Sequence, residues 1–362
     1  MTSRIPFDPL RPYNLPLLPP TFDYKDSKFT ELRVKARVEL AELKAYSTDM
    51  PNQLLLLSPT ILKESIASSG VENINTTMMN VLENQLFSEQ EQRPQDKEVL
   101  RYKDAVIEGF KSLDKYSLAT RTIINIHKNL LTDSPGKYRS HAVQIQNNIT
   151  KEIVYTPPEA RRIHELLNNL ENFLHQNDDI DPLIKASIIH YQFEAIHPFS
   201  DGNGRTGRIL MVLYLLRKDL LHFPTLYISG YILKNRNDYY RLLLNVTEKQ
   251  DWSEYIEFML NGFYLQAKET KELLFKIKNE YASFKEILKT KYKNIYNAVD
   301  LVDTLFAFPV ITATKLAENV GCTWETASTY LKTLKKAGLM SDKKMGKYHI
   351  YVNNKLIKIL HS

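Results

Sequence analysis

Twelve consecutive residues concentrate the reactive chemistry of this chain: His197, Pro198, Phe199, Ser200, Asp201, Gly202, Asn203, Gly204, Arg205, Thr206, Gly207 and Arg208. Gly202 and Gly204 let backbone N–H groups converge on an anion with no Cβ in the way. A helix starting near Gly204 adds its unsatisfied donors and the positive end of its dipole. Arg205 and Arg208 are three apart, so both guanidinium groups reach the same side of that helix start. These parts make a cradle for a polyphosphate. Asp201 offers hard oxygen ligands for a Mg²⁺ bridging the phosphates. His197 is the one group in the stretch able to act as a general base near neutral pH, taking a proton from an attacking hydroxyl. The set suits transfer of a phosphorus-centred group, where positioning and charge neutralisation matter most. A plain loop between two helices has no need of a base, a metal ligand, an amide and two arginines in so short a stretch.

The surrounding pattern is helical. Apolar periodicity covers 27–44, with Phe29, Leu32, Ala36, Leu40 and Leu43 on one stripe, and then 99–113, 117–131, 159–175, 182–196, 208–218, 237–246 and 252–290. Ser58 and Pro59 open a helix expected to end near Ile66, followed by a polar turn over 67–73. Residues 89–97 read as a solvated loop or helix start. Alternating β-rich residues over 136–155, broken at Asn147 and Asn148, predict a β-hairpin. The first 20 residues hold six prolines and are expected to lie extended over the surface.

A chain of 362 residues suggests two or three domains. Hydrophobic residues at 43% and charged residues at 25% argue against disorder throughout. A single cysteine, Cys322, excludes intrachain disulfides and cysteine-rich metal sites. The longest apolar run, 209–216, is far short of the ~20 residues of a membrane span, and the start lacks a signal-peptide core. A cytoplasmic, membrane-free protein is the expectation. The net charge of +6 lies wholly in residues 311–362, with nine lysines against three acidic residues.

The twelve-residue stretch resembles the signature of Fic-domain proteins, His-Pro-Phe-x-(Asp/Glu)-Gly-Asn-Gly-Arg-x-x-Arg, at every position. The resemblance implies transfer of AMP from ATP to a hydroxyl side chain of a protein, with release of pyrophosphate. It makes His197 the base and Asp201 the Mg²⁺ ligand. Asn203 and the backbone from Gly202 to Arg205 would hold the α and β phosphates with Arg205 assisting, and Arg208 would grip the γ phosphate. Phe199 would anchor the loop, and Gly204 favours the usual nucleotide orientation. Gly136, Lys137, Tyr138 and Arg139, after Pro135, with Val143 and Ile145, look like the family's flap, a hairpin that holds the target by β-augmentation; Gln146 stands where many relatives have glycine. Asn235, Arg236, Tyr239 and Tyr240 resemble the stretch near the adenine, with Asn235 and Tyr240 the contacts assigned.

Ser68, Glu72 and Asn73 meet the family's inhibitory pattern, (Ser/Thr)-x-x-x-Glu-(Gly/Asn). A carboxylate paired with Arg208 would occupy donors meant for the γ phosphate and misalign the α phosphorus, where small misplacement is costly. The resemblance also makes a homodimer the expected assembly.

Beyond residue 294 the order is helix, short helix, turn at Gly321, a helix over 324–337 capped by Thr323, and two strands, at Leu339–Met340 and 348–352, about a turn at 343–347. This resembles a winged helix-turn-helix. Thr326, Ser328, Thr329, Lys332 and Lys336 would face a nucleic acid groove and the wing lysines its phosphates, while Ala327, Tyr330, Leu331 and Leu334 face the core. DNA is therefore a candidate partner.

The resulting expectation is a mostly α, Fic-type helical domain with a β-hairpin flap, plus a C-terminal α+β winged-helix domain. An N-terminal helical region (1–95) carries the inhibitory motif, followed by the catalytic domain (96–290) and the winged helix (291–362). The leading function is a self-inhibited protein adenylyltransferase using ATP and Mg²⁺ on a protein hydroxyl, the chain itself among the candidate targets. The alternatives are a nucleotide-sensing DNA-binding regulator, and transfer or removal of another nucleotide monophosphate.

Overall fold

The computed structural model describes residues 7–50, 52–53, 57–88, 90–131, 136–147, 150–292 and 298–361; expectations for Pro135, Asn148 and the start of the helix after residue 294 lie outside these. The long amphipathic helix α1 (Lys28–Thr48) buries Phe29, Ala36, Leu40 and Leu43 along α11 (Trp252–Lys291), one continuous helix of 40 residues. The proline-rich start inserts Leu15 and Leu18 into the main core rather than merely crossing its surface.

α2 (Ser58–Val71) runs five residues beyond its expected end. Ser68, Ser69 and Gly70 are weak helix formers, and burial overrides that propensity. Gly70 lets the helix approach α9 (Ile228–Lys234), since a Cβ there would lie 3.1 Å from Leu233 Cδ2. The sequence pattern also missed α3 (Met78–Asn84), capped by Thr77, and started α4 (Pro94–Ser112) too late. Pro94 occupies the first turn, where a missing N–H costs nothing. The boundary expected after residue 95 falls inside this helix.

The next helix is α5 (Thr120–Leu130). The hairpin is smaller than expected: β1 (Ile145–Gln146) pairs with β2 (Ile153–Tyr155), and the register shifts by one residue between the two pairs. A 3₁₀ turn leads into α6 (Ile163–His175). α7 (Pro182–Ile196) starts at the Asp181 cap and is buried along nearly all its length, as is α8 (Asn203–Arg217). These two helices pack together and carry the reactive loop between their facing ends. α10 (Arg236–Lys249) follows α9 and packs on α11.

The C-terminal unit has α12 (Ala298–Ala307), β3 (Val310–Thr312), α13 (Ala313–Val320), α14 (Trp324–Lys336), β4 (Ser341–Met345), β5 (Tyr348–Val352) and α15 (Asn354–His361). The antiparallel sheet has the order β3–β5–β4. Thr312 and Thr323 cap their helices, and Gly338, with φ of 70°, follows the third. β3 was not expected, and β4 lies at 341–345 rather than at Leu339–Met340. Lys343 and Lys344 therefore sit in a strand, with the turn confined to Gly346 and Lys347. Ser328 is buried, not groove-facing, because the capped helix turns it inward with Ala327 and Leu331.

Candidate active site

The loop is shaped by two backbone turns. His197 terminates α7 in the left-handed region, at φ 50° and ψ 60°, and Gly202 enters α8 at φ 74°. Phe199 is fully buried and its ring stacks on His127 of α5, with centroids 3.7 Å apart and planes at 9°. His127 Nε2 also lies 2.9 Å from the Asp201 carbonyl, so one side chain fastens the loop twice. Asn203 closes the turn from the other side. Its Oδ1 accepts from Phe199 N at 2.9 Å and its Nδ2 donates to Phe199 O at 2.8 Å. Asn203 thus holds the loop's shape through its side chain, with its second Nδ2–H not used by these two bonds, and the first amides of α8 lie beside it without helical partners.

His197 is partly buried, with Nδ1 3.3 Å from the Glu194 carbonyl. That contact orients the ring so that Nε2 is the basic nitrogen. Burial is the main cause that pushes its pKa down, to about 4, the Glu194 carbonyl resists, and the Arg139 guanidinium adds to the depression. The ring is therefore held neutral at physiological pH.

Arg139 was expected on the flap. It is 4% exposed and works at the flap's base. Its Nε donates to the His197 carbonyl at 2.8 Å, and its Nη2 to the Pro158 carbonyl at 2.6 Å and the Ile196 carbonyl at 3.4 Å. Its Nη1 donates to the His141 carbonyl at 3.1 Å, and its own N–H to the Pro198 carbonyl at 2.9 Å. Tyr138 likewise packs inward, its ring 5.5 Å from that of Phe199. The expected flap pair Val143 and Ile145 is half-buried, with Ile145 opposite Tyr155. Among the described residues, the outer edge of β1 pairs with no other strand.

The arginines have different partners. Arg205, 2% exposed, donates from Nη1 to Glu98 Oε2 of α4 at 2.7 Å, while its Nη2 is 3.8 Å from Asp201 Oδ2. Glu98 was not singled out in the sequence; a buried guanidinium requires a counter-charge, but nothing local says that residue 98 provides it. Arg208 is 1% exposed and faces α2. Its Nε donates to Ser68 Oγ at 2.8 Å, and its Nη2 to the Ser68 carbonyl at 2.9 Å and to Glu72 Oε1 at 2.8 Å. Burial opposes the charge of Arg208, but Glu72, Tyr239 and Glu194 outweigh it and hold the pKa above the usual arginine value. Asn73 ends the motif at φ 65° and accepts from Arg236 Nη1 at 2.7 Å.

Of the assigned adenine contacts, Asn235 donates to the Tyr231 carbonyl at 2.9 Å and links α9 to α10. Tyr240 is 43% exposed beside the end of α2, its hydroxyl 3.5 Å from the Val71 carbonyl. Tyr239 is core, bonded through its hydroxyl to His190 Nε2 at 2.9 Å. Two buried carboxyls were also missed. Glu64 of α2 accepts from Ser229 N at 3.0 Å and Tyr102 Oη at 3.2 Å, and burial pushes its pKa up to about 7. Glu194 lies under Arg208, with its pKa pushed up to about 8, mainly by burial and opposed by that arginine.

Asp201 is the expected Mg²⁺ ligand. Its side chain is 75% exposed, and the described residues contain no cluster of three or more metal-ligating groups. One open carboxylate suits an ion whose other ligands are water and substrate phosphates. Among the described residues, no helix is long and apolar enough to cross a membrane.

Comparison with known proteins agrees with this geometry. Residues 30–111 match the model of the Fic/DOC family N-terminal region, 117–215 that of the Fic/DOC family, and 281–356 that of the C-terminal domain of SoFic-like protein adenylyltransferases. Over 149 residues the chain is 32% identical to the protein adenylyltransferase Fic of Nematostella vectensis, covering 40% of this chain and 32% of that one. It is 41% identical over 68 residues to a probable protein adenylyltransferase of Aquifex aeolicus, covering 19% of this chain and 21% of that one. The chain thus spans a third or less of the length of these relatives. In structure it resembles a Fic family protein from Desulfovibrio desulfuricans, with a TM-score of 0.57 at 21% identity, over 92% of this chain and 98% of that one. This last likeness is one of fold. The two Fic/DOC models together account for half of the residues, and they enclose the reactive loop and the helix that faces it: the chain belongs to the Fic/DOC family.

Proposed function

We propose that the chain is a protein adenylyltransferase held in check by its own Glu72. The reaction transfers AMP from ATP to the hydroxyl of a Ser, Thr or Tyr side chain of a protein. The observation that carries the reading is the contact of Arg208 with Glu72 and Ser68, which places a carboxylate on the donors of the second signature arginine.

In this mechanism the target lies along the free edge of β1, with its hydroxyl near His197. His197 Nε2 takes the hydroxyl proton as the oxygen bonds to the α phosphorus. The bond from that phosphorus to the bridging oxygen of the β phosphate breaks, and pyrophosphate leaves. The first amides of α8 and Arg205 meet the charge on the phosphates. Asp201 would hold Mg²⁺, which when bound neutralises phosphate charge. While Glu72 holds Arg208, the γ phosphate has no guanidinium to dock on and a carboxylate to avoid. The α phosphorus then rests out of line for attack. Lys343 and Lys347 pair with carboxylates of the same chain.

The test is incorporation of α-labelled ATP, with Mg²⁺, into the purified protein and a cell extract. Glu72→Gly should raise labelling at least tenfold, and His197→Ala added to it should abolish labelling while leaving ATP affinity within about threefold. No label with Glu72→Gly, or undiminished label without His197, overturns the proposal.

A further inference from the structure

α2 has two working faces. Glu64, Ser68 and Glu72, spaced four apart, point to Ser229, Tyr102 and Arg208. Leu62, two residues from Glu64 and so on the opposite side of a helix with 3.6 residues per turn, belongs to a second apolar cluster outside the main core. Its companions there include Val81 and Leu82 of α3, and Val310, Ile350 and Val352 of the winged-helix sheet. Side chains alternate along a strand. Ile311 and Tyr351 accordingly enter the main core, while Val310, Ile350 and Val352 turn to the N-terminal helices. The wing reinforces this contact with charge: Lys343 pairs with Glu83, and Lys347 with Glu91 at 2.9 Å. Tyr348 adds a hydroxyl 3.3 Å from Glu91 Oε2 and a ring 5.0 Å from that of Phe87.

The helix that brings Glu72 to Arg208 therefore also packs against the C-terminal domain. We propose that the winged-helix domain is the brace of the inhibitory helix, so that unseating its sheet from α2 and α3 raises AMP transfer. Two of the nine lysines in residues 311–362, Lys343 and Lys347, have an internal task, and an event at the wing is felt at the active site through one rigid helix. The inference rests on the reading of the chain as an autoinhibited transferase. By linkage, whatever loosens the wing must shift the occupancy of Arg208 by Glu72.

The experiment uses the full chain in the α-labelled ATP assay. Ile350→Lys places a charge in the dry face of the sheet but leaves the face formed by Ile311 and Tyr351 intact. The pair Glu83→Lys and Glu91→Lys is a second, surface-only disruption. Amide hydrogen exchange over 78–84 reports whether the contact has opened, and circular dichroism reports folding. Transfer should rise about fivefold or more in a folded variant with faster exchange over 78–84, and adding Glu72→Gly should then give no more than Glu72→Gly alone. Adding Lys343→Glu and Lys347→Glu to the reversed pair should restore the low rate. Faster exchange over 78–84 with unchanged transfer overturns the brace, as does an increase that multiplies with that of Glu72→Gly. Glu72→Gly alone tests the underlying reading: if it is silent, autoinhibition fails, whereas a responsive Glu72→Gly beside opened but silent interface variants rejects only the brace.

Discussion

Glu72 Oε1 occupies the space that any side chain on residue 204 would need: a Cβ built on Gly204 would lie 2.1 Å from that oxygen. The glycine that leaves the start of α8 open is thus also the glycine that admits Glu72 to Arg208. Gly204→Ala must push the carboxylate off, which is cheap because it is the tip of a flexible side chain. Glu72→Gly should then change transfer less than threefold in the Gly204→Ala background, against tenfold or more in wild type. Coupling of this kind is expected for residues in contact. A full tenfold response to Glu72→Gly in the Gly204→Ala protein would show that Glu72 still sits on Arg208.

The base should work in acid. Burial pushes the pKa of His197 down to about 4, so the ring stays neutral well below the ordinary histidine value of about 6.5. Transfer by the Glu72→Gly protein, measured as a function of pH, should lose half its rate through this group near pH 4. A half-loss near pH 6.5 would mean that the ring is solvated and free of Arg139.

Alkaline pH should cost stability through Glu194. Its pKa is raised to about 8, mainly by burial, against about 4.3 in an unfolded chain. Between those values the folded state binds the extra proton, so this contribution is present below about pH 4 and is lost as pH rises toward 8. Glu194→Gln keeps the shape and removes the titration. The drop in melting temperature from pH 6 to 9 should be smaller in Glu194→Gln than in wild type; equal drops would place the alkaline loss elsewhere.

Arg139 should act on turnover rather than on ATP binding. It holds the carbonyls of Ile196 and His197 at the left-handed turn that aims the base. Arg139→Gln leaves buried acceptors unpaired, at about 1–3 kcal/mol each. Steady-state kinetics in the Glu72→Gly background should show kcat down ten- to a hundredfold, with KM for ATP within about twofold, and Arg139→Lys should recover only part of the rate. A KM effect alone would make Arg139 a binding residue.

The reactive loop was legible because its chemistry is contiguous. The histidine, the carboxylate, the glycines and both arginines fall within twelve residues, and helix periodicity on either side locates the turn. The cap Thr323 was equally local, since a cap bonds an amide two or three residues away. Where local rules failed, burial had won. α2 continued through Ser69 and Gly70 because that face packs on Leu233.

His197, Asp201, Arg205 and Arg208 are neighbours because they are close along the chain, and that much is written in the primary structure. The control over those groups was decided by tertiary structure. Glu72 meets Arg208 across 136 residues, Glu98 meets Arg205 across 107, and Lys347 meets Glu91 across 256. The first was expected only through the resemblance of its motif, and no propensity or spacing encodes the other two. The first rests on α2, a helix buried on two faces, one against α8 and the other against the winged-helix sheet, while Glu98 and Glu91 come from α4 and the turn before it.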